Sequence, residues 1–214
     1  MELSTVQQSV IIGSLLGDGC IQKAGRSGRR FRYYENHCRE QAEYLFWKKC
    51  SLESLGAKMR PYRRFDERYA TYRYGYAMWT PVMDIWEEYR RLVYSGEGHK
   101  RISMDLLDQA NDISLVMWIC DDGSWNKQGG QVYLNTHRYG LEGNLVAKKW
   151  FEERWGLSPH VLPHKRWHFL YFPVADTKRL IALIEPFIPV PSMLYKVGKP
   201  VSEDPLVYGP STAT

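Results

Sequence analysis

Two aspartates stand at the ends of two apolar runs. "IIGSLLGDGC" (residues 11–20) finishes with Asp18 and Gly19, and "LVMWICDDGS" (115–124) has Asp122 and Gly123 near its end. If these runs are helices, each acid lies where the macrodipole is negative and several carbonyls lack partners. A carboxylate is destabilising there unless a cation compensates. A hard divalent ion such as Mg²⁺ takes oxygen ligands, and a carboxylate beside orphan carbonyls supplies them. Paired carboxylates sharing metal ions form the arrangement that activates water and stabilises a leaving oxygen in phosphodiester hydrolysis. One Asp-Gly at a helix end is an ordinary turn signal; two at matching places in one chain point to a joint role.

The elements that must bring these acids together repeat along the chain. Both runs are apolar on nearly all faces, as buried helices are. Gly13, Ser14 and Gly17 leave room for a second backbone. Thr5 and Gln8 read as a capping box opening the first helix, which is expected to end at Asp18. A hairpin turning at Gly25–Gly28 follows, then a helix stopping at Gly56, a second hairpin turning near 66–68, and a helix opened by Thr80 and Pro81. The second run begins near Ile113 and leads through the strand "GQVYLNT" to a helix stopping at Gly156. The hairpin "HVLPHKRWHFLYF" and a helix opened by Pro173 complete the order. Landmarks stay nearly in step: Asp122 lies 104 positions after Asp18, Gly156 100 after Gly56, and Pro163 102 after Pro61. The pattern predicts an α+β fold, a pseudo-twofold duplicate of αββαββα, with halves at 1–97 and 112–214 joined by a linker at 98–111.

The strands carry basic and aromatic residues in alternation. Lys23, Arg26, Arg29, Arg30 and Arg32 fall in 22–34 without an acid, and Tyr62, Phe65, Tyr69, Tyr72 and Tyr74 interleave with the basic residues of 58–74. Period-two alternation puts Lys58, Arg60, Tyr62 and Arg64 on one face, with Met59 and Phe65 on the other, and groups Arg30, Arg32 and Tyr34. Gln131, Tyr133 and Asn135 oppose Val132 and Leu134. A sheet with one apolar face and one basic, polar face can enter a major groove and read base edges. The residues expected to contact DNA are Lys23, Arg30, Arg32, Tyr34, Lys58, Arg60, Arg64, Arg73, Gln131, Tyr133, Asn135 and Lys165. His160, His164 and His168 recur every fourth residue, but Pro159 and Pro163 forbid a helix there, so they read as hairpin residues rather than a zinc site.

The 214 residues include 29 Lys+Arg against 24 Asp+Glu, a net charge of +5, which suits a polyanionic partner without requiring one. With 44% hydrophobic and 25% charged residues the chain is expected to be globular. Cys20, Cys38, Cys50 and Cys120 lack zinc-site spacing, and no P-loop or dinucleotide fingerprint is present. "MELSTVQQ" has no basic leader and the apolar run behind it is short. The expectation is a soluble intracellular protein, of a bacterial or phage cytoplasm or of the organelle encoding it, neither secreted nor membrane-bound.

"IIGSLLGDG" and "LVMWICDDG" resemble the two signature motifs of the LAGLIDADG homing endonucleases, in the single-chain, two-motif, omega-type intron-endonuclease form. The resemblance extends through "VYLNTH" and "FIPVPSMLYKV". It implies signature helices packed at a pseudo-twofold axis, with Val116 and Met117 standing where the family usually has small residues and so arguing against close contact there, and two antiparallel four-stranded saddles in the DNA major groove. It implies a monomer that cuts both strands of a long asymmetric target across the minor groove, using Mg²⁺ and leaving short 3′ overhangs. Mn²⁺ would be an alternative ion and Ca²⁺ a non-cleaving substitute. Carried over, the catalytic, metal-binding acids fall on Asp18 and Asp122, with Asp121 one place early. The carbonyls of Gly17 and Asp121 would assist the metal, and Lys100 ("GHKRIS") and Lys196 ("MLYKVG") would polarise water or steady phosphate charge. A maturase acting on intron RNA, or a DNA-binding descendant without cleavage, stays open as the alternative; retention of both acids favours the enzyme.

Overall fold

The computed structural model describes residues 2–24, 30–96 and 98–201; the turn read at 25–28, with Arg26 and Arg29, lies outside them. The first helix, α1 (Thr5–Leu16), is capped one residue earlier than the Thr5–Gln8 reading. The Ser4 hydroxyl accepts from the Gln7 N–H at 3.3 Å, and the Gln7 side chain accepts from the Ser4 N–H at 3.0 Å. Both pairs are spaced three apart; the one that starts the helix wins. Helix α1 ends at Leu16 with Gly17 as C-cap, so Asp18 lies beyond the cap. Two β-strands follow, β1 (Cys20–Ala24) and β2 (Arg30–Cys38), then α2 (Ala42–Ser51), β3 (Lys58–Asp66), β4 (Thr71–Trp79) and α3 (Ile85–Val93). A short helix α4 (Met104–Leu107) lies in segment 98–111, where Ile102, Leu106, Leu107 and Ala110 are buried.

The order then returns as α5 (Asp112–Asp122), β5 (Gly123–Asn126), β6 (Gln131–Leu134), α6 (Gly140–Trp155), β7 (His160–His164), β8 (Trp167–Phe172) and α7 (Val174–Ile184). Both sheets are antiparallel with the same topology, β1-β2-β4-β3 and β5-β6-β8-β7. Tyr34 pairs with Cys20 and Trp79, and Tyr133 pairs with Ser124 and Tyr171, which fixes equivalent positions in the halves. Gly56 and Gly156, at φ +73° and +61°, terminate the matching helical segments in the left-handed region. The α+β duplicate is thus present, with β5 added to the strands read from sequence.

Helix α3 does not start at Thr80. The Thr80 hydroxyl accepts from the Tyr33 N–H at 3.2 Å, and the Pro81 carbonyl accepts from the Trp86 indole at 3.1 Å. A hydroxyl engaged by a strand amide cannot cap, so the chain stays non-helical until Ile85.

Helices α1 and α5 pack against each other, with Val10–Leu16 and Ser114–Cys120 buried. A Cβ added at Gly13 would sit 2.3 Å from the Ser114 carbonyl oxygen and 2.6 Å from Met117 Cβ. One added at Gly17 would sit 2.4 Å from Asp121 Cβ. The glycines of α1 therefore supply the room, and the helices approach closely at Met117 itself. Asn111, the α5 N-cap, donates to Ser9 Oγ at 2.7 Å across the same interface.

Candidate active site

The packed helices end side by side, and their acids sit in different settings. Asp18 is half-exposed, its N–H donating to Asp121 Oδ2 at 3.2 Å. Asp122, the last residue of α5, is only 9% exposed. Its Oδ1 lies 3.9 Å from an Arg138 guanidinium nitrogen, and its buried Oδ2 has no hydrogen-bond partner. Burial pushes the Asp122 carboxyl up to about 7; Arg138 opposes the shift, and the charges of Asp18 and Asp121 add to it.

Lys100 and Lys196 both reach this place. Lys100 Nζ donates to the carbonyls of Leu15 and Gly17 at 2.8 Å each, and Arg138 donates to Gly17 at 3.2 Å. Lys196 Nζ donates to the carbonyls of Asp121 at 3.3 Å and Gly123 at 2.8 Å. The carbonyls of Gly17 and Asp121 are therefore engaged by ammonium groups, which satisfy the orphan acceptors of two helix ends. Burial lowers the Lys100 ammonium to about 8, Arg138 adding to the effect; burial also lowers Lys196, against the pull of Asp121.

A buried polar network lies under Asp18, and the motif reading did not anticipate it. Lys48 Nζ, fully buried, donates to Glu35 at 2.5 Å and to Asp121 Oδ1 at 2.8 Å. The Tyr44 hydroxyl donates to Asp121 Oδ1 at 2.8 Å, and the Tyr33 hydroxyl to Glu35. His37 places Nε2 2.7 Å from Glu35 and Nδ1 2.9 Å from Gln41 Oε1 and 4.0 Å from Asp18. Burial pushes the Lys48 ammonium down, but Asp121 and Glu35 more than offset it and its pKa is raised. Burial likewise opposes ionisation of Glu35, yet Lys48 and His37 hold its carboxyl below the usual range. Side-chain oxygens of Asp18 and Asp121 and a ring nitrogen of His37 lie within 4.8 Å of one another. The signals for this network were Glu35 and His37 on the core parity of β2, and Lys48 on the helix face of Tyr44, Leu45 and Leu52. Nothing in the sequence singled out Arg138.

The sheet faces carry most of the remaining expected residues. On the outer face of the first sheet lie Arg30, Arg32 and Tyr34 from β2, Lys58, Arg60, Tyr62 and Arg64 from β3, and Arg73 and Trp79 from β4. Lys23 pairs with Phe31 and shares the parity of Ile21 and Tyr33, so it points to the helix-covered side, away from that face. Phe65 is exposed, contrary to its core assignment, because the β3–β4 hairpin outruns the helices; it packs on Tyr72 instead. Arg64 stands directly opposite Arg73, a like-charge pair whose repulsion is offset by the Asp66 carboxylate 3.5 Å from Arg73 Nε. Gln131 and Tyr133 lie on the outer face of the second sheet, Asn135 just beyond β6, and Lys165 in the β7–β8 turn at φ +57°. Asn135 Nδ2 donates to the Asp122 carbonyl at 2.7 Å, tying that face to the acid.

Among the described residues no helix is long and apolar enough to cross a membrane. The RecA protein of Mycobacterium shimoidei is 34% identical over 211 residues, spanning 91% of this chain and 47% of that protein. The cytochrome b mRNA maturase bI2 of Saccharomyces cerevisiae is 24% identical over 212 residues, spanning 89% and 47%. This chain thus covers about half the length of these relatives. Among solved structures, the homing endonuclease I-WcaI bound to its DNA recognition sequence matches with a TM-score of 0.81 at 21% identity, over 92% of this chain and 88% of that one. The LAGLIDADG DNA endonuclease family profile matches residues 8–180. With that match over most of its length, the chain belongs to the LAGLIDADG DNA endonuclease family.

Proposed function

We propose that this protein is a Mg²⁺-dependent endonuclease that acts as a monomer and cuts both strands of a long asymmetric DNA duplex across the minor groove. The observation that carries the reading is the pair of acids at the adjoining ends of α1 and α5, one of them with a buried, unpartnered oxygen. Asp18 and Asp122 are the residues that would hold the ion. Hard oxygen donors suit it, and the unpartnered Oδ2 is an atom that a cation would satisfy. The Asp121 carboxylate, engaged by Lys48 and Tyr44, and His37, engaged by Glu35, serve Asp18 as supports.

When bound, the ion supplies an activated water and offsets charge on the leaving oxygen. The chain supplies the rest. Lys100, with its pKa near 8, and Lys196 hold protons beside the reacting phosphate and steady its charge. Their anchoring on the carbonyls of residues 15, 17, 121 and 123 fixes both ammonium groups relative to the acids. The outer sheet faces carry the duplex. One chain holds both acids, so no second copy is needed for two cuts.

The test is cleavage of a library of long duplexes with Mg²⁺, repeated with Asp18→Asn and Asp122→Asn. Retained binding with cleavage lowered at least about a hundredfold supports the reading; an unmodified protein that binds a target and never cuts it overturns the enzyme. The likeness to a yeast mRNA maturase favours a second reading, action on intron RNA. A structured intron RNA that outcompetes every duplex would make it the better one.

A further inference from the structure

The outer faces of the two sheets differ in chemistry more than their shared topology suggests. Among the described residues, the outer face of the first sheet carries six Lys or Arg residues (Arg30, Arg32, Lys58, Arg60, Arg64 and Arg73), and strands β5–β8 carry none. Several arginines of the first face are held in place. The Arg32 guanidinium donates to Gln22 Oε1 at 3.2 Å and lies 5.9 Å from the Tyr34 ring centroid; Arg60 lies over Trp79 at 5.3 Å. A guanidinium fixed in orientation presents a two-pronged donor, which matches O6 and N7 of guanine in the major groove.

The second face is aromatic. Tyr133 packs on Phe169 and Tyr171 at centroid distances of 5.7 and 5.3 Å, and Phe169 meets His137 at 5.6 Å. A concavity of about 340 Å³ opens there, lined by Ser124, Tyr133, Asn135, His137, His164 and Phe169. Its rim residue Asn135 is bonded to the Asp122 carbonyl, so the hollow adjoins the acid centre. An apolar floor with amide and hydroxyl groups at its edge is complementary to the methyl-bearing edge of thymine, and Gln131 on the same face can serve adenine.

We propose that the two sheets read different bases: the N-terminal face takes guanines through its held arginines, and the C-terminal face takes A·T pairs, seating thymine methyls in the Tyr133–Phe169 concavity near the cleavage point. The proposal rests on the duplex-cutting reading above and adds the composition of the target. It also places the salt-dependent, phosphate-neutralising share of affinity on the N-terminal side.

The experiment selects bound duplexes from a randomised pool in Ca²⁺, sequences them, and then replaces enriched thymines with uracil, which removes only the methyl. Guanine should be enriched in one half-site and A·T pairs in the other. Each critical uracil should weaken binding about three- to fivefold, as expected for one buried methyl. Phe169→Ala should erase the thymine–uracil difference and leave the guanine preference. Arg60→Gln should relax guanine preference roughly tenfold and leave the thymine–uracil difference. Guanine enriched equally in both halves, or uracil bound as well as thymine throughout, would overturn the inference while leaving the endonuclease reading intact. A protein that selects no duplex overturns the reading beneath it. The uracil substitution alters only the DNA, so it tests the pocket even where Phe169→Ala fails to fold.

Discussion

At register-matched positions the two halves fill the layer beneath their acids with opposite chemistry. Tyr33, Glu35 and His37 of β2 correspond to Val132, Leu134 and Thr136. Tyr44, Leu45, Lys48 and Leu52 share the burial spacing of Gly143, Asn144, Ala147 and Phe151, so Lys48 answers to Ala147. One half buries ions and the other buries hydrocarbon and neutral hydrogen bonds. Lys48 and Glu35 do not close their network within their own half: the missing carboxylate is Asp121, at the place where the first motif has Gly17. The departure of the second motif from the first and the buried lysine of the first half are thus one device. It joins the halves and holds the Asp18 backbone through Asp121.

The comparison breaks most sharply at Lys48. Lys48→Met leaves two buried carboxylates without their cation and should lower unfolding free energy by about 3–5 kcal/mol in urea titrations. Giving the first half the chemistry of the second, with Glu35→Leu, Lys48→Met and Asp121→Asn together, should recover most of that loss. If the triple variant is no more stable than Lys48→Met, the network is not the source. The next effect concerns the other acid, in the half that has Ala147 where the first has Lys48. The folded protein holds a proton on Asp122 up to pH about 7, whereas an unfolded aspartate releases it near 4. Between those values the native state binds more protons, so metal-free stability should fall as pH rises across that window, by about 4 kcal/mol. Asp122→Asn should flatten the slope, and Mg²⁺ should raise the melting temperature above pH 7 in the parent but not in this variant. The smallest effect sharpens the contrast between the helices. Gly13→Ala drives a methyl against the Ser114 carbonyl and the Met117 Cβ and should cost about 1–2 kcal/mol by thermal melting.

The duplicated architecture was legible because its signals are local and occur twice: apolar helices ending in Asp-Gly, glycine stops after α2 and α6, and alternating strands. Thr80 misled because a hydroxyl before proline looks the same whether it caps a helix or satisfies a strand amide. Lys23 was credited to the basic face because its hairpin was counted by charge; its pairing with Phe31 assigns it to the other side. The acids follow from motif and spacing and the two lysines from the family resemblance, whereas the Glu35–Lys48–Asp121 connection spans three distant segments. Only packing α1 on α5 makes those residues neighbours. Met117 suggests a wider helix spacing only when α5 is considered alone; opposite Gly13 of α1 the two backbones come close.

The last carbonyls of α1 are served by residues made much later in synthesis: Leu15 and Gly17 by Lys100, Leu16 by Tyr139, and Gly17 also by Arg138. A ribosome that has released only the first half has exposed a helix end lacking its donors and a lysine lacking one of its carboxylates. Closing that helix end must wait for residue 139 to emerge.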